Sequence, residues 1–232
     1  MRLDKYLADM TPYSRNDIKK LIRKKLVSVN DRIITDAAFQ VAESDIVKLD
    51  GEEIIYQQFE YYLLYKPAGY ITASYDAYQP FVMELISSTR RDLVPVGRLD
   101  KDAEGALLIT NDGMLNHQLL TASHHVFKKY YVEFEGQLPD DAVERFEQPM
   151  VFQDFTSLPG ILEIIDDSHA YLTICEGKFH QVKRMFAHEG AEVTYLRRDR
   201  FANLTLDGLD VGEYRPLSEE EVTALKEMAE GK

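Results

Sequence analysis

Residues 96–113, VGRLDKDAEGALLITNDG, bring together four carboxylates, two cations and three glycines in eighteen positions. Arg98 and Asp100 lie two apart, and in an extended segment alternate side chains point the same way. Both can therefore face one cleft while Leu99 turns into the core. Gly97 and Gly105 permit a sharp turn or a close backbone approach. A second cluster, EGKFHQVKRMF at 176–186, puts Lys183 and Arg184 near a helix start, with Phe179 and Phe186 spaced to anchor Lys183 against apolar packing. A carboxylate facing a fixed cation in a partly dry cleft stays ionised, and such a group is a nucleophile or a base without any cofactor. The same spacing also describes a structural ion pair, the commoner outcome on spacing alone.

Other chemistry is poorly supplied. His124 and His125 are adjacent, so in a strand they point to opposite faces. His117 and His180 are isolated, and no cysteine pair or His-x-x-x-His spacing offers metal ligands. No glycine-rich loop of the Walker or dinucleotide type is present, so neither a metal nor a cofactor is expected. The one cysteine, Cys175, excludes an intrachain disulfide and reads as a small core residue.

The net charge of -13 argues against nucleic acid as a partner until its distribution is read. Residues 1–50 carry ten Lys/Arg against eight Asp/Glu, whereas residues 51–232 carry seventeen against thirty-two. Screening acts over about 8 Å at physiological salt, so patches matter more than the total. With 45% hydrophobic residues the chain can bury a core. The opening MRLDKYLADM lacks the apolar stretch of a signal peptide, and no run approaches the roughly 20 residues that span a bilayer. A cytoplasmic protein without membrane association is expected.

The elements that must carry these groups follow from periodicity. Leu3, Tyr6, Leu7 and Met10 have helical spacing. Ser14, with Asp17 three residues on, starts a second helix whose inner face is Ile18, Leu21 and Ile22. Its remaining surface is basic: Arg15, Lys19, Lys20, Arg23, Lys24 and Lys25 against the single acid Asp17. LVSVN and RIIT, joined by Asn30-Asp31, then DIVKLD, predict a small sheet. Residues 51–60 have no clear period and read as a linker. Beyond them YYLLY, LVPVG, ALLIT, KKYYVEFEG, ILEII, AYLTIC, EVTYLRR and NLTLD predict strands. FVMELI, a segment starting at Pro139, FHQVKRMFAHEG and EEEVTALKEMA predict helices. Interleaved helices with frequent hairpin turns predict an α+β fold on a mixed, mainly antiparallel sheet.

Two resemblances extend this reading. Residues 1–50 resemble the small αL-type RNA-binding module of ribosomal protein S four. YKPAGYITA, GRLDKDAEGALLITNDG, KKYYV and EGKFHQVKRMF, in this order, resemble the successive motifs of the RNA pseudouridine synthases of the ribosomal small-subunit pseudouridine synthase A family, and the tail GEYRPLSEEEV is similar too. The resemblance implies an RNA-binding domain over 1–55 and a catalytic domain over 61–232. It implies that Asp100 is the catalytic aspartate, that Tyr130 lies against the target base, and that Lys183 pairs with the aspartate, with Arg184 beside it. It implies Leu204 as a hydrophobic wall residue, Arg98 as the filler of the gap left by a flipped base, and Lys66 as a cleft residue. Arg2, Lys5, Arg15, Lys19, Lys20, Arg23, Lys24 and Lys25 would face RNA. Ala103 stands where the family motif has Thr, and Tyr65 where it has Asn, which touches fine positioning rather than class.

The implied reaction isomerises a uridine of ribosomal RNA, most directly the small-subunit RNA, free or in an assembling particle, with one copy of the chain and no cofactor. The rival readings are a large-subunit target, a non-catalytic assembly factor, and a glycosidase pairing Asp100 with Asp102 or Glu104. The cleft is expected to be lined by Lys66, Arg98, Lys128, Lys183 and Arg184, together with Arg197, Arg198 and Arg200, and most acids are expected to lie elsewhere.

Overall fold

A computed structural model describes residues 1–121 and 125–230; His124 lies outside them. The chain forms two compact units, one made of residues 1–59 with 87–93, the other of residues 60–86 with 94–232.

In the first unit, helices α1 (Leu3–Met10) and α2 (Arg15–Arg23) pack on a sheet of order β2-β1-β3-β4: β1 Val27–Val29, β2 Arg32–Ile33, β3 Val47–Leu49 and β4 Glu52–Glu53. Leu3, Leu7, Ile18, Ile22 and Val27 are wholly buried. The Ser14 hydroxyl caps α2, accepting from the Asp17 N–H at 3.2 Å. Asn30 and Asp31 join β1 to β2 with φ of 50° and 61°, the pair of left-handed residues a two-residue hairpin requires. Asp4 is fully buried and accepts from the guanidinium groups of Arg2 and Arg15. Those bonds, Arg2 first, hold its carboxyl down at about 2 against the opposing effect of burial.

The expected linker at 51–60 departs from this structure. Glu52–Glu53 is a strand, Ile54 accepts from the Tyr6 hydroxyl at 2.7 Å, and the Tyr56 ring lies 5.0 Å from that of Tyr6. A two-residue strand is too short to show a period, so the residues that finish this core looked patternless.

The second unit is built on strands in the order β13-β5-β7-β11-β8-β10-β9, with β6 on β7 and β12 on β11. These are β5 Tyr61–Lys66, β6 Val94–Pro95, β7 Glu104–Thr110, β8 Lys128–Gly136, β9 Ile161–Asp166, β10 His169–Ile174, β11 Ala191–Phe201, β12 Leu204–Thr205 and β13 Tyr214–Pro216. Among the described residues β7 and β11 are the one parallel pair, so the sheet is mixed and mainly antiparallel, as expected. The helices are α3 (Gly113–Leu120), α4 (Ala142–Phe146), α5 (Gln181–His188) and α6 (Glu219–Ala229), with a 3-10 turn at Val82–Leu85. Asp112 caps α3 and Ser218 caps α6 through a full capping box. The helix expected to begin at Pro139 starts only at Ala142. Among the described residues, no helix is long and apolar enough to cross a membrane.

β11 merges the expected strand EVTYLRR with the residues that follow it. Its register against β8 slips twice, leaving Thr194 and Asp199 unpaired. Each slip is a bulge, and each reverses the alternation of faces. Leu196, Arg198 and Phe201 therefore share one buried face although 198 and 201 are three apart.

Candidate active site

A cavity of about 910 Å³ opens within the second unit, inside the range of about 300–1,000 Å³ typical of ligand sites. Its floor is the buried face of β8, β10 and β11. Tyr130 on β8 sits opposite Arg198 on β11 and Leu172 on β10, and Lys128 sits opposite Phe201 and Ile174. Directly opposed residues of antiparallel strands share a face, which puts Tyr130, Lys128 and Arg198 on one face of the sheet. One cavity wall is the loop 97–103 and the other is residues 177–182 leading into α5.

The loop is held from below by the end of β5. The Lys66 side chain is wholly buried and its ammonium donates to the carbonyls of Pro67 at 3.0 Å, Lys101 at 3.4 Å and Ala103 at 2.7 Å. Burial pushes the Lys66 ammonium down to about 8. Thr72 Oγ1 donates to the Leu99 carbonyl at 2.7 Å and accepts from the Leu99 N–H at 3.1 Å. Leu99 is buried and Arg98 is exposed, as the alternation predicts. Gly105 carries the chain from the loop into β7 with φ +117°, where a Cβ would collide with the Arg198 carbonyl and stand 2.5 Å from its nitrogen. The absence of that Cβ lets β7 run against β11 and brings the loop beside the floor.

Asp100 lines the cavity with its side chain one quarter exposed. Lys183 Nζ lies 3.7 Å from its Oδ2, and His180 Nε2 lies 3.6 Å from its Oδ1. Lys183 bonds more closely to Asp102, at 2.7 Å to both oxygens, and this holds the Asp102 carboxyl below its ordinary value. Glu104, at the start of β7, accepts from the Tyr195 hydroxyl at 2.7 Å. His180 precedes α5 in the left-handed region, φ 51° and ψ 31°, and stacks on Phe179 with centroids 3.8 Å apart. Phe179 lies before the helix and is exposed, so it does not anchor Lys183; Phe186 is the buried one. Glu176 sets the entry to α5, accepting from the Leu158 N–H and from Gln181 Nε2, each at 2.7 Å.

Several expected residues are placed elsewhere. Leu204 is wholly buried among Leu63, Val96 and Leu115, because β12 turns it into the core; Leu196, Ile174 and Val182 form apolar wall instead. Arg184 pairs with Asp154 and lies over the rings of Phe152 and Phe155 at 4.9 and 4.7 Å, one residue around α5 from Lys183. Lys66 supports the loop from inside and is not a cavity liner. Arg197 pairs with Asp199, and Arg200 Nε donates to the Ala202 carbonyl at 2.7 Å. The cavity's charged lining is Arg98, Lys101, Lys128, Lys178 and Arg198 against Asp100 and Asp102, so it is locally cationic in a chain of net charge -13. Lys101, Lys178, His180 and Leu196 escaped the sequence reading, although three of the four lie inside the two clusters it singled out. Among the described residues no cluster of three His, Cys, Asp or Glu could hold a metal ion.

A carboxylate and a flat phenol ring lining one cationic cavity can act together, the carboxylate at a sugar carbon and the ring against a planar base. Comparison with known proteins narrows this. A family profile described as RNA pseudouridylate synthase matches residues 60–188, and one described as S4 domain matches residues 1–47. Ribosomal small subunit pseudouridine synthase A of Escherichia coli K12 is 38% identical over 230 residues, covering 97% of this chain and all of the relative. The protein of that name from Vibrio cholerae is 37% identical over 229 residues, covering 97% and 99%. A crystal structure of a pseudouridylate synthase superimposes with a TM-score of 0.69 at 32% identity, covering 97% of this chain and 99% of the other.

Proposed function

The chain belongs to the RNA pseudouridylate synthase family, and on that footing we propose that it converts one uridine of the small ribosomal subunit's RNA to pseudouridine. The curated relatives carry that subunit in their names over essentially their full length. The observation that carries the reading is Asp100 on the wall of a locally cationic cavity floored by Tyr130.

The reaction breaks the N1–C1′ bond of uridine, turns the base and rejoins it through C5. The nucleotide must first leave its stack, at a cost of a few kcal/mol. Tyr130 supplies the flat apolar partner for the base. Arg98, exposed on the loop, fills the vacated space by stacking its guanidinium. Asp100 acts at the ribose, as nucleophile at C1′ or as base toward the C2′ proton. Lys183, shared with Asp102, keeps positive charge beside it. Arg184 and Leu204 support α5 and the core behind the site, and Lys66 supports the loop. These groups all come from residues 60–232, so one copy of the chain suffices.

The first unit holds RNA through Lys5, Lys19, Lys20, Arg23, Lys24 and Lys25, all exposed but the half-buried Lys19, with Arg2 and Arg15 fixed on Asp4. Removing Arg23, Lys24 and Lys25 together should weaken RNA binding and reduce its salt dependence by about one to three counterions; an unchanged salt slope refutes a phosphate role for these three. The deciding experiment maps pseudouridines in both ribosomal RNAs from cells with and without the protein. Loss of one small-subunit pseudouridine is the expected result, and loss only in the large subunit rejects the target.

A further inference from the structure

Lys128 and Arg198 are unusual among the charged groups of the cavity because both are buried, with relative exposures of 6% and 2%. Neither has a carboxylate within ion-pair distance among the described residues. The Lys128 ammonium donates to the Val126 carbonyl at 3.0 Å, and Arg198 Nε donates to the Ala106 carbonyl at 2.8 Å. Arg198 Nη2 is buried with no hydrogen-bond partner. Both residues lie over the Phe201 ring, at 5.7 and 5.0 Å, and both flank Tyr130 on the cavity floor.

Two neighbouring cations buried without an ion-pair partner destabilise a fold, and an orphaned buried donor adds to that cost. Burial, followed by the nearby Arg198, pushes the Lys128 ammonium down to about 8, with the buried Glu176 carboxylate opposing the shift. The other lining cations, Arg98, Lys101 and Lys178, are exposed, where backbone phosphates of an RNA stay hydrated. The buried pair lies beside Tyr130, where the base itself would rest.

We propose that Lys128 and Arg198 receive a carbonyl oxygen of the extruded uracil and stabilise the negative charge the base acquires as it leaves C1′. This rests on the uridine isomerisation proposed above. When the N1–C1′ bond breaks, its electron pair stays on N1 and spreads to O2 and O4. C5 then bonds to C1′, the C5 proton is lost and a proton is gained at N1, so the step balances without a co-reactant. Fixed cations aimed where charge develops act on the rate rather than on affinity. The demand is the same whether Asp100 attacks C1′ or removes the C2′ proton.

The test is single-turnover conversion of small-subunit ribosomal RNA by the full chain and by Lys128→Met, with uridine or 5-fluorouridine at the target. Fluorine stabilises the uracil anion, and bond cleavage is followed by appearance of the rearranged base. Lys128→Met should slow uridine conversion about 100-fold while the Kd for RNA changes less than about threefold. The loss should be clearly smaller on 5-fluorouridine RNA, and Lys128→Arg should recover most of the rate. A Kd that rises as much as the rate falls makes the pair a phosphate site and overturns the proposal, as does an equal loss on both substrates. If Lys128→Met does not fold, Lys128→Gln carries the same comparison, and an unchanged ratio between the two substrates overturns it. A wild-type chain that forms no pseudouridine instead refutes the function itself, and this proposal with it.

Discussion

Lys183 grips Asp102 with 2.7 Å bonds to both carboxylate oxygens while standing 3.7 Å from Asp100. One ammonium thus serves two acids two residues apart, and the more exposed acid holds it more tightly. Asp102 leaves Asp100 with unspent acceptor capacity. Asp100→Asn should abolish pseudouridine formation with RNA affinity kept within about threefold, whereas Asp102→Asn should retain conversion within about tenfold. Quantifying product by mass spectrometry separates them; an inactive Asp102→Asn beside an active Asp100→Asn would reverse the assignment.

Lys66 ties three carbonyls of the loop from a fully buried position. Lys66→Met leaves them without this donor and should slow conversion about 100-fold while sparing RNA affinity, because small displacements of a reacting group cost about that much. The pH dependence has a definite sign. The folded-state value, about 8, lies below the ordinary 10.5. Between those values the unfolded chain binds more protons, so wild-type stability rises with pH relative to Lys66→Met. Denaturant titrations at pH 7.5 and 10 check this, and a parallel pair of curves refutes it.

Gly105 passes the Arg198 backbone with no room for a methyl group and with a φ that only glycine adopts readily. Gly105→Ala should therefore lose on the order of 3 kcal/mol or more, through strain and the forced parting of β7 from β11. Gly69 has φ +89° but open space around its Cβ position, so Gly69→Ala should cost about 1 kcal/mol. Melting temperatures of the two variants rank them, and equal shifts discard the close-approach argument.

Asp4 is fully buried with its carboxyl held at about 2 by Arg2 and Arg15. A depressed value stabilises the fold above the unfolded carboxyl's range and loses that contribution as pH falls from about 4 to 2. Asp4→Asn should cost about 2 kcal/mol at pH 6 and nearly nothing at pH 2. Amide exchange in α1 and α2 reads this directly; a gap that persists at pH 2 would point to packing instead of charge.

The legible parts of the fold were those written in local chemistry. Ser14 marks a helix start because a cap is one side chain bonding one nearby N–H. Asn30-Asp31 marks its hairpin because few residues accept φ above zero. The Arg98–Leu99–Asp100 alternation held for the same reason. The illegible parts depended on distant chain. Nothing near Lys66 says that its ammonium ends beneath residues 101 and 103, and nothing near Leu204 says that core, not cavity, receives it. Leu196 was hidden by β11 itself, where two slips spoil any simple alternation, and of the expected Arg197, Arg198 and Arg200 only Arg198 lines the cavity.

Those slips make β11 tolerant of one kind of genetic change and brittle to another. Substituting Thr194 alters a residue that no strand partner reads, and substituting Asp199 removes only its pair with Arg197. Deleting either codon would pair its neighbours and turn a run of side chains through the sheet, sending charge where Leu196 or Phe201 now packs. A codon-deletion scan should therefore show a deep trough at 194 and 199 where a substitution scan shows a plateau. The history of this strand would be readable in replacements and nearly closed to changes of length.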